Sequence, residues 1–439
     1  MNKRIVVLGA GISGTGAAVL AKKKGFDVFV SDNGKITDES KKVLLNNNID
    51  FEEGKHSLHK ILIADEVIKS PGIPDNIELI QKLNFRVIPV ISEVEFAFRY
   101  TAAKIVAITG SNGKTTTTLL LGHILRNAGY DVLVAGNIGV GFALSLSERD
   151  YKYIVLELSS FQLDGIKSFR SDIAIVLNVS PDHMHRYNYN FESYIKSKFR
   201  ITKNQRSNDF LIYNADDKSV NMIESKAKRL PISLIREQNE GGYLNNKELI
   251  IKLNNQTMTI QELALQGKHN MFNSMAAAMA ARVFEVKDEV IRQSMLDFQN
   301  IEHRLEQVLT VHGIDFINDS KATNVNACWF ALESMQKDVV WIVGGADKGN
   351  EYSELNEMVA EKVRAIICLG ENNQKIITSF QGQVETIVQA SSMNEAVKQS
   401  FSLANKGEVV LLSPACASFD LFENYEDRGV QFKEAVRAL

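Results

Sequence analysis

Short apolar, β-branched runs alternate with helical stretches along almost the whole chain. This rhythm restricts the fold more than any other feature. IVVLG, DVFVS, EVIKS and RVIPV fall within residues 1–91, and KIVAITG, DVLVAG, YIVLELS and IAIVLNVS follow by residue 180. VVWIVGG, AIICLG and EVVLLSPA come later. Runs this continuously apolar suit strands buried on both faces, which calls for parallel sheets covered by helices. The expected fold class is α/β.

The rhythm breaks twice. Near residue 92 the run RVIPVISEVEFAF ends a strand and starts a helix at Ser92, with Glu95 completing a possible capping box. Near residue 302, IEHRLEQVLTVHGIDFIND turns from helix to hairpin. Three domains are expected, at 1–92, 93–302 and 303–439, which suits 439 residues at roughly 100–200 per domain. Residues 208–262 differ from the rest. They are polar and Asn-rich, with short strands such as FLIYN and ELIIKL, and read as a β-rich insertion in the middle domain.

Composition excludes several classes. A net charge of −3 gives no reason to expect nucleic-acid binding. Cys328, Cys368 and Cys416 lie far apart and form no C-x-x-C, so neither a disulfide framework nor a zinc ribbon is indicated. No segment approaches the ~20 apolar residues of a membrane span. The basic start MNKR runs through a short apolar stretch straight into a glycine loop, so it reads as the first strand and not a leader. A reducing cytoplasm is the expected location.

Two strand–glycine loop–helix units stand out. Gly9-x-Gly11-x-x-Gly14 follows the first strand, and the acid Asp32 ends the second. This fingerprint says that a phosphate lies near a helix N-terminus, as in a nicotinamide dehydrogenase, but not which phosphate. Asp32 alone reads equally well as a solvated strand-end acid. The second unit, IVAITGSNGKTTTTLLL, places Gly113-Lys114-Thr115 at a helix start. Backbone N–H groups there face an anion, Lys114 can reach terminal phosphates, and the Thr115 hydroxyl can ligate Mg²⁺. The loop is shorter than the usual pattern, with two residues between Gly110 and Gly113. A dehydrogenase has no use for the second loop and a plain ATPase none for the first. An enzyme that spends ATP to activate a nucleotide-bearing substrate needs both.

Other residues are suggestive by position. Glu157 ends the strand YIVLEL near the phosphate loop, where an acid suits magnesium. His183 also follows a parallel strand, on the side where α/β sites form. Lys196, Lys198 and Lys203 look alike. Asn270 and Asn273 precede an alanine-rich helix and could cap it. Lys348 lies beside Gly344-Gly345 at a strand end.

ITGSNGKTTTT, GNIG (136–139), LELSSFQL (156–163), NVSPDHMHRY (178–187), GKHNMFN (267–273), NDSKATN (318–324) and LLSPACASFDLF (411–422) occur in this order. Together they resemble the Mur ligase family, ATP-dependent amide ligases of peptidoglycan synthesis, over essentially the whole chain. SPGI (70–73), NDSKATN, and SPACASFD with NYEDRG (424–429) resemble its D-glutamate-adding branch. The resemblance implies a Rossmann-like first domain, a central P-loop ATPase domain and a Rossmann-like C-terminal domain, with closure between domains as the gate. It also implies a cytoplasmic monomer whose substrates are ATP, UDP-N-acetylmuramoyl-L-alanine and D-glutamate. Another Mur ligase activity, or that of a folylpolyglutamate synthase, is the nearest alternative.

Site roles follow from the same resemblance. Ile12, Ser13, Asp32, Asn33, Ser70 and Gly72 match UDP contacts. Asn137, Ser159, Gln162 and His183 match the muramoyl and phosphate region. Gly110, Ser111, Asn112, Gly113, Lys114, Thr115 and Thr116 match the ATP loop. Asn270 and Asn273 match adenine-side contacts, Arg304 a phosphate contact, and Asp319 a ribose-binding acid. Lys114, Glu157, His183 and Lys198 match the catalytic set. Two Mg²⁺ ions are implied, held by Thr115, Glu157, His183 and Lys198, the last as a carbamate formed with CO₂. Lys321, Thr323, Lys348, Ser418 and Tyr425 match amino-acid contacts. His185 and Tyr425 depart from the family pattern, which usually has Asp and Phe there.

Overall fold

A computed structural model describes residues 2–265, 267–298, 302–347 and 349–439, with His185 by its backbone alone. One compact unit comprises Met1–Leu263 and Asn270–Asp297. The other comprises Ala264–His269 and Phe298–Leu439. Among the described residues no helix is long and apolar enough to cross a membrane.

The first unit holds two sheets. β1 (Arg4–Leu8), β2 (Asp27–Ser31), β3 (Asp50–Glu52), β4 (Glu66–Lys69) and β5 (Val90–Ser92) pair in parallel in the order β3-β2-β1-β4-β5. Ile5, Val6, Val7 and Leu8 are all buried, as a strand covered on both faces requires. The order reverses between β1 and β4, and ligands of open α/β sheets bind at such a switch point.

The second sheet contains β6 (Lys104–Thr109), β7 (Val132–Gly136), β8 (Tyr153–Glu157), β9 (Ile173–Val176), β10 (Phe210–Asn214), β11 (Lys228–Ser233), β12 (Gly241–Asn245), β13 (Glu248–Leu253) and β14 (Gln256–Ile260). Their order is β14-β13-β12-β11-β10-β9-β6-β8-β7. The stretch 208–262 is strand-rich as expected, and it extends this sheet directly. Pro231 explains a discontinuity there. It has no N–H to give a neighbour, and β12 pairs only with Ile232 and Ser233, beyond it. From β12 onward the sheet turns antiparallel.

The junction between the two sheets differs from the capping box expected at Ser92. Ser92 Oγ accepts from the Glu95 amide at 3.3 Å, but the Glu95 carboxylate does not reach back. It is buried and accepts from the amides of Lys167, Ser168 and Phe169 at 2.8–2.9 Å. Tertiary packing thus takes the side chain that local helix chemistry would have used.

The second unit holds β15 (Glu306–Val311), β16 (Ile314–Asn318), β17 (Val339–Val343), β18 (Val363–Leu369), β19 (Thr386–Ala390) and β20 (Val409–Leu412), ordered β15-β16-β20-β17-β18-β19. β15 and β16 form the expected hairpin. Its two-residue turn, His312-Gly313, has positive φ at both positions, 50° and 82°, the twist that matches flanking strands. The other pairings are parallel. All three cysteines are buried and free.

Candidate functional site

The loops after β1, β2, β3 and β4 enclose a cleft of about 440 Å³. Ile12, Ser13, Asp32, Asn33, Ser70 and Gly72, named from sequence, all line it. The three glycines are there for different reasons. Gly9 has φ 89°, and a Cβ would lie 2.6 Å from Ser70 Oγ. A Cβ on Gly14 would lie 1.9 Å from the Gly9 carbonyl oxygen. Gly11 has open space around it, so its bare backbone is available for ligand approach. Asp32 is not simply a solvated acid. Its carboxylate accepts from the Ala10 amide at 2.7 Å and the Gly34 amide at 2.8 Å, fixing the loop between β1 and its helix.

The opposite wall, Ser70–Ile73, is held from behind. Lys69 donates to the Ile73 carbonyl at 2.6 Å. Arg186 donates to the carbonyls of Gly72, Pro71 and Ile73 at 2.9, 3.1 and 3.3 Å, and its guanidinium lies 4.3 Å from the Phe161 ring centroid. Neither cation was legible as a site residue. Arg186 sits in the quoted NVSPDHMHRY run, but its target is 113–115 positions away in the chain.

The second glycine loop follows β6 and leads into the helix Lys114–Asn127. Gly113 is left-handed at φ 81°, and a Cβ there would lie 2.3 Å from Asn273 Oδ1. Asn178 clamps the loop, accepting from the Asn112 amide at 2.8 Å and donating to the Asn112 carbonyl at 3.1 Å. Ser111 Oγ donates to the Ser180 carbonyl at 2.8 Å. Lys114 Nζ donates to the Gly110 and Ser111 carbonyls at 2.9 and 2.8 Å. Thr115 and Thr116 are buried in the first helical turn.

Of the three similar lysines, only Lys198 is buried, at 2 % exposure, whereas Lys196 and Lys203 are exposed. Its Nζ donates to the Gly110 carbonyl at 2.8 Å, the acceptor that Lys114 also uses, and lies 4.6 Å from the Tyr194 ring centroid. Burial, reinforced by the charge of Lys114, pushes the Lys198 pKa well down, against the pull of Asp182 and Glu157.

Glu157, at the end of β8, is 2 % exposed. Its Oε1 accepts from Asn137 Nδ2 at 2.8 Å, and Oε2 is buried without a hydrogen-bond partner among the described residues. An orphaned carboxylate oxygen beside a phosphate loop fits a hard cation. No group of three or more His, Cys, Asp or Glu among the described residues forms a ready-made cage.

Ser159 and Gln162 form a complete capping box at the helix Ser160–Asp164. His183 has φ 54°, and its ring lies 5.2 Å from that of Phe161 in this helix. Asn270 and Asn273 both lie inside the helix Lys268–Val283, so neither caps it. Asn273 Nδ2 donates to Asn270 Oδ1 at 3.1 Å, and its Oδ1 accepts from Thr117 Oγ1 at 3.3 Å, against the loop.

In the second unit the quoted motifs follow β16, β17 and β20 at their C-terminal ends. Asp319 is 1 % exposed; its carboxylate accepts from the Leu305 amide at 3.2 Å and Ser413 Oγ at 3.0 Å. Burial raises its pKa to about 6, with the Arg304 charge opposing. Arg304 Nε is buried without a hydrogen-bond partner among the described residues. Lys321 lies 5.2 Å from the centroid of the Tyr425 ring. Thr323 is half-buried, and Ser418 is buried on the loop after β20. Lys348 lies outside the described residues.

Arg428 was not singled out from sequence. It is 1 % exposed and donates to Ser320 Oγ and its carbonyl, and to the Cys416 carbonyl, at 2.8–3.2 Å. It ties the SKATN loop to the SPACASFD loop. Burial lowers its pKa to about 10, yet it stays charged at neutral pH.

Three family models match the chain. They are the MurD N-terminal domain over residues 4–79, the Mur ligase middle domain over 108–281, and the Mur ligase glutamate ligase domain over 303–416. The chain is 52% identical over 445 residues to the UDP-N-acetylmuramoylalanine–D-glutamate ligase of Christiangramia forsetii, covering 100% of both. It is 51% identical over 446 residues to the protein of that name from Bacteroides fragilis, again covering 100% of both. In fold it is similar to a pseudomurein peptide ligase type C from Methanothermus fervidus, with TM-score 0.63, 22% identity and full coverage of both chains.

Proposed function

The chain belongs to the Mur ligase family, and from that premise we propose that it joins D-glutamate to UDP-N-acetylmuramoyl-L-alanine with conversion of ATP to ADP and phosphate, in peptidoglycan precursor synthesis. The substrate carboxylate attacks the γ-phosphorus of ATP. The bond to ADP breaks and an acyl phosphate forms. The amine of D-glutamate then attacks the acyl carbon, phosphate leaves, and the amine sheds a proton. Both partners of the first step are anions, so positive charge must be placed between them.

The observation that carries this reading is the pair of lysine amines sharing the Gly110 carbonyl. Lys114 supplies the permanent charge for the terminal phosphates. Burial disfavours Lys198 as a cation and so favours the free amine, the form that would add CO₂, forming an N–C bond and releasing a proton. The carbamate would be an anionic oxygen beside Lys114. Glu157 Oε2, Thr115, His183 and the Lys198 carbamate would hold Mg²⁺. When bound, the metal screens the phosphate charge and polarises the transferring group. Asn137 keeps Glu157 oriented, and the Asn178 clamp keeps the loop amides pointed at the anion.

The cleft after β1–β4 would take the UDP moiety, through Ile12, Ser13, Asp32, Asn33, Ser70 and Gly72. Arg304 would meet a nucleotide phosphate. Asp319 already serves two groups of the protein, so a ribose hydroxyl would be a further donor to it. Lys321, Thr323, Lys348, Ser418 and Tyr425 would receive D-glutamate, whose two carboxylates need cations and hydroxyls. Domain limits at 92 and 302, a monomeric state and a cytoplasmic location complete the reading.

The test is phosphate release from ATP in the presence of UDP-N-acetylmuramoyl-L-alanine, with D-glutamate, L-glutamate, L-lysine or meso-diaminopimelate added in turn. Release that requires D-glutamate is expected; release with another amino acid would overturn the pocket assignment. For Lys198, intact-peptide mass spectrometry under CO₂ should show a carbamate on that residue. An active enzyme with only free amine there would refute it.

A further inference from the structure

Three helices that join strands of the first sheet close in the same way, and one of them does so on an unsuited residue. The second residue past the end of Ile12–Lys23, Asp38–Asn46 and Glu78–Phe85 is left-handed in each case: Gly25 at φ 85°, Asn48 at 50° and Val87 at 57°. Each donates its amide to the carbonyl three residues back, of Lys22, Leu45 or Asn84, at 3.0 Å. The next amide reaches five back, Phe26 to Ala21, Ile49 to Leu44 and Ile88 to Leu83, at 3.0–3.2 Å. This closing turn suits glycine and asparagine, whereas a β-branched residue is strained in it. Val87 gains nothing inside the fold in return, because its side chain is 86 % exposed.

Its neighbours are apolar and exposed as well. Phe85, in the last helical turn, is 90 % exposed, and Ile63, in the loop before β4, is 62 % exposed. These turns lead into β4 and β5, which are adjacent and parallel. Ile63, Phe85 and Val87 therefore share the N-terminal edge of the sheet, the edge opposite the cleft. Cations share it too. Lys3 precedes β1, Lys22 lies in the last helical turn before β2, and Arg86 sits between Phe85 and Val87. All three are exposed, and none forms an ion pair among the described residues. The acids of this edge are mostly engaged. Asp27 and Glu66 pair with Arg4 and Arg99, and Asp65 accepts from the Arg4 amide. Asp50 stands at the far end, on β3.

Tips of this kind fit a bilayer better than a folded partner. A stable protein interface buries about 800 Å² on each side around a packed core. Here three apolar side chains project singly from two turns, with cations beside them. An apolar tip can enter the acyl boundary while lysine and arginine stay at anionic headgroups. The chain as a whole carries −3, so its net charge does not attract it to an anionic surface; a local patch must. We propose that the N-terminal edge of the first sheet docks on an anionic lipid surface, with Ile63, Phe85 and Val87 inserted and Lys3, Lys22 and Arg86 at the headgroups. The cleft after β1–β4 opens at the other edge and stays accessible to its ligand.

Flotation of the full chain with vesicles of phosphatidylcholine alone, or of phosphatidylcholine and phosphatidylglycerol in equal parts, tests it. The wild type should bind the anionic vesicles and not the neutral ones. The double variant Phe85→Ser, Val87→Gly should bind about tenfold more weakly, the scale for withdrawing two partly inserted apolar side chains. Lys22→Ala and Arg86→Ala should each cost about fivefold, the effect of one basic residue at an anionic surface. Ile235→Ser, which removes an exposed apolar side chain past β11, should change nothing, and ATP turnover should be that of the wild type throughout. Val87→Gly alone should weaken binding yet unfold at a higher temperature, because it relieves the left-handed turn. A lower unfolding temperature would mean that the fold itself rewards the valine, and the premise fails. Equal binding to both vesicles, none to either, or an undiminished affinity in the folded double variant overturns the proposal. Self-association in ultracentrifugation that the double variant abolishes, without vesicle binding, would give the edge to a second copy of the chain instead.

Discussion

The two glycine loops of the first unit share a backbone plan and differ in charge. Each joins a buried parallel strand to a helix, and each contains glycines that no other residue could replace. Beside the first loop stands an acid, Asp32, whose carboxylate accepts from the Ala10 amide. The cations nearby, Lys69 and Arg186, point at carbonyls of the opposite wall. Around the second loop two amines converge on one carbonyl, and a buried carboxylate oxygen lacks a partner. Glycine spacing therefore reports only that a ligand or a backbone comes close. The surrounding charge is what tells two such loops apart.

The largest expected effect separates the loops by function. Lys114→Ala should lower turnover by on the order of 10²–10³, as for loss of one preorganised charge donor, and leave UDP affinity unchanged. Phosphate release and UDP titration measure the two quantities. A parallel loss of UDP affinity would show that the loops act as one site. Next comes Gly14→Ala. Its methyl would meet backbone that cannot yield, so we expect roughly 3 kcal/mol of destabilisation, read by urea unfolding. Wild-type stability would mean that the first loop is more compliant than its geometry implies.

A third test probes what couples the loops. Buried Glu93 accepts from the Ala143 amide at 2.6 Å, at the start of the helix Phe142–Glu148, which packs on the helix of the first loop. Burial raises its pKa to about 7, opposed by the Ala143 and Phe142 amides. Between pH 4.5, the unfolded value, and about 7 the folded protein keeps a proton that the unfolded chain has released. Stability should thus fall as pH rises through that window, by on the order of 3 kcal/mol, and this contribution should level off above it. Glu93→Gln should flatten that part of the profile. An unchanged slope would assign the dependence to other groups.

Much of this was legible in the chain, because strand-end motifs in a parallel sheet project to one edge. All six residues read as UDP contacts line one cleft, and Lys114 faces the loop that its motif implied. What sequence left open turned on packing. Lys196 and Lys198 are two positions apart on the helix Phe191–Phe199, hence on nearly opposite faces, and only the fold says which face is inward. Glu95 fits a capping pattern, yet tertiary amides claim it. Ser159 and Gln162, read as ligand contacts, also cap a helix. Arg186 and Arg428 act through partners distant in sequence, and no local pattern announces such side chains.

The smallest change in stability is expected at Gly11, and it sharpens the comparison most. Gly11 caps the helix Ile12–Lys23 at φ −71° and ψ −174°, a conformation open to any residue. Nothing lies within 4 Å of the position a Cβ would take. Gly11→Ala should therefore cost only about 0.5 kcal/mol, the preference of an N-cap for glycine over alanine. If a diphosphate approaches this backbone, the methyl should still weaken UDP binding about tenfold, the effect of one overpacked group. Gly14→Ala would then damage the fold and Gly11→Ala the ligand, two glycines of one motif conserving different things. Should UDP bind Gly11→Ala as well as wild type, the glycines of the first loop would serve packing alone. Ligand contact would then rest on side chains, with Ser13 the first to consider.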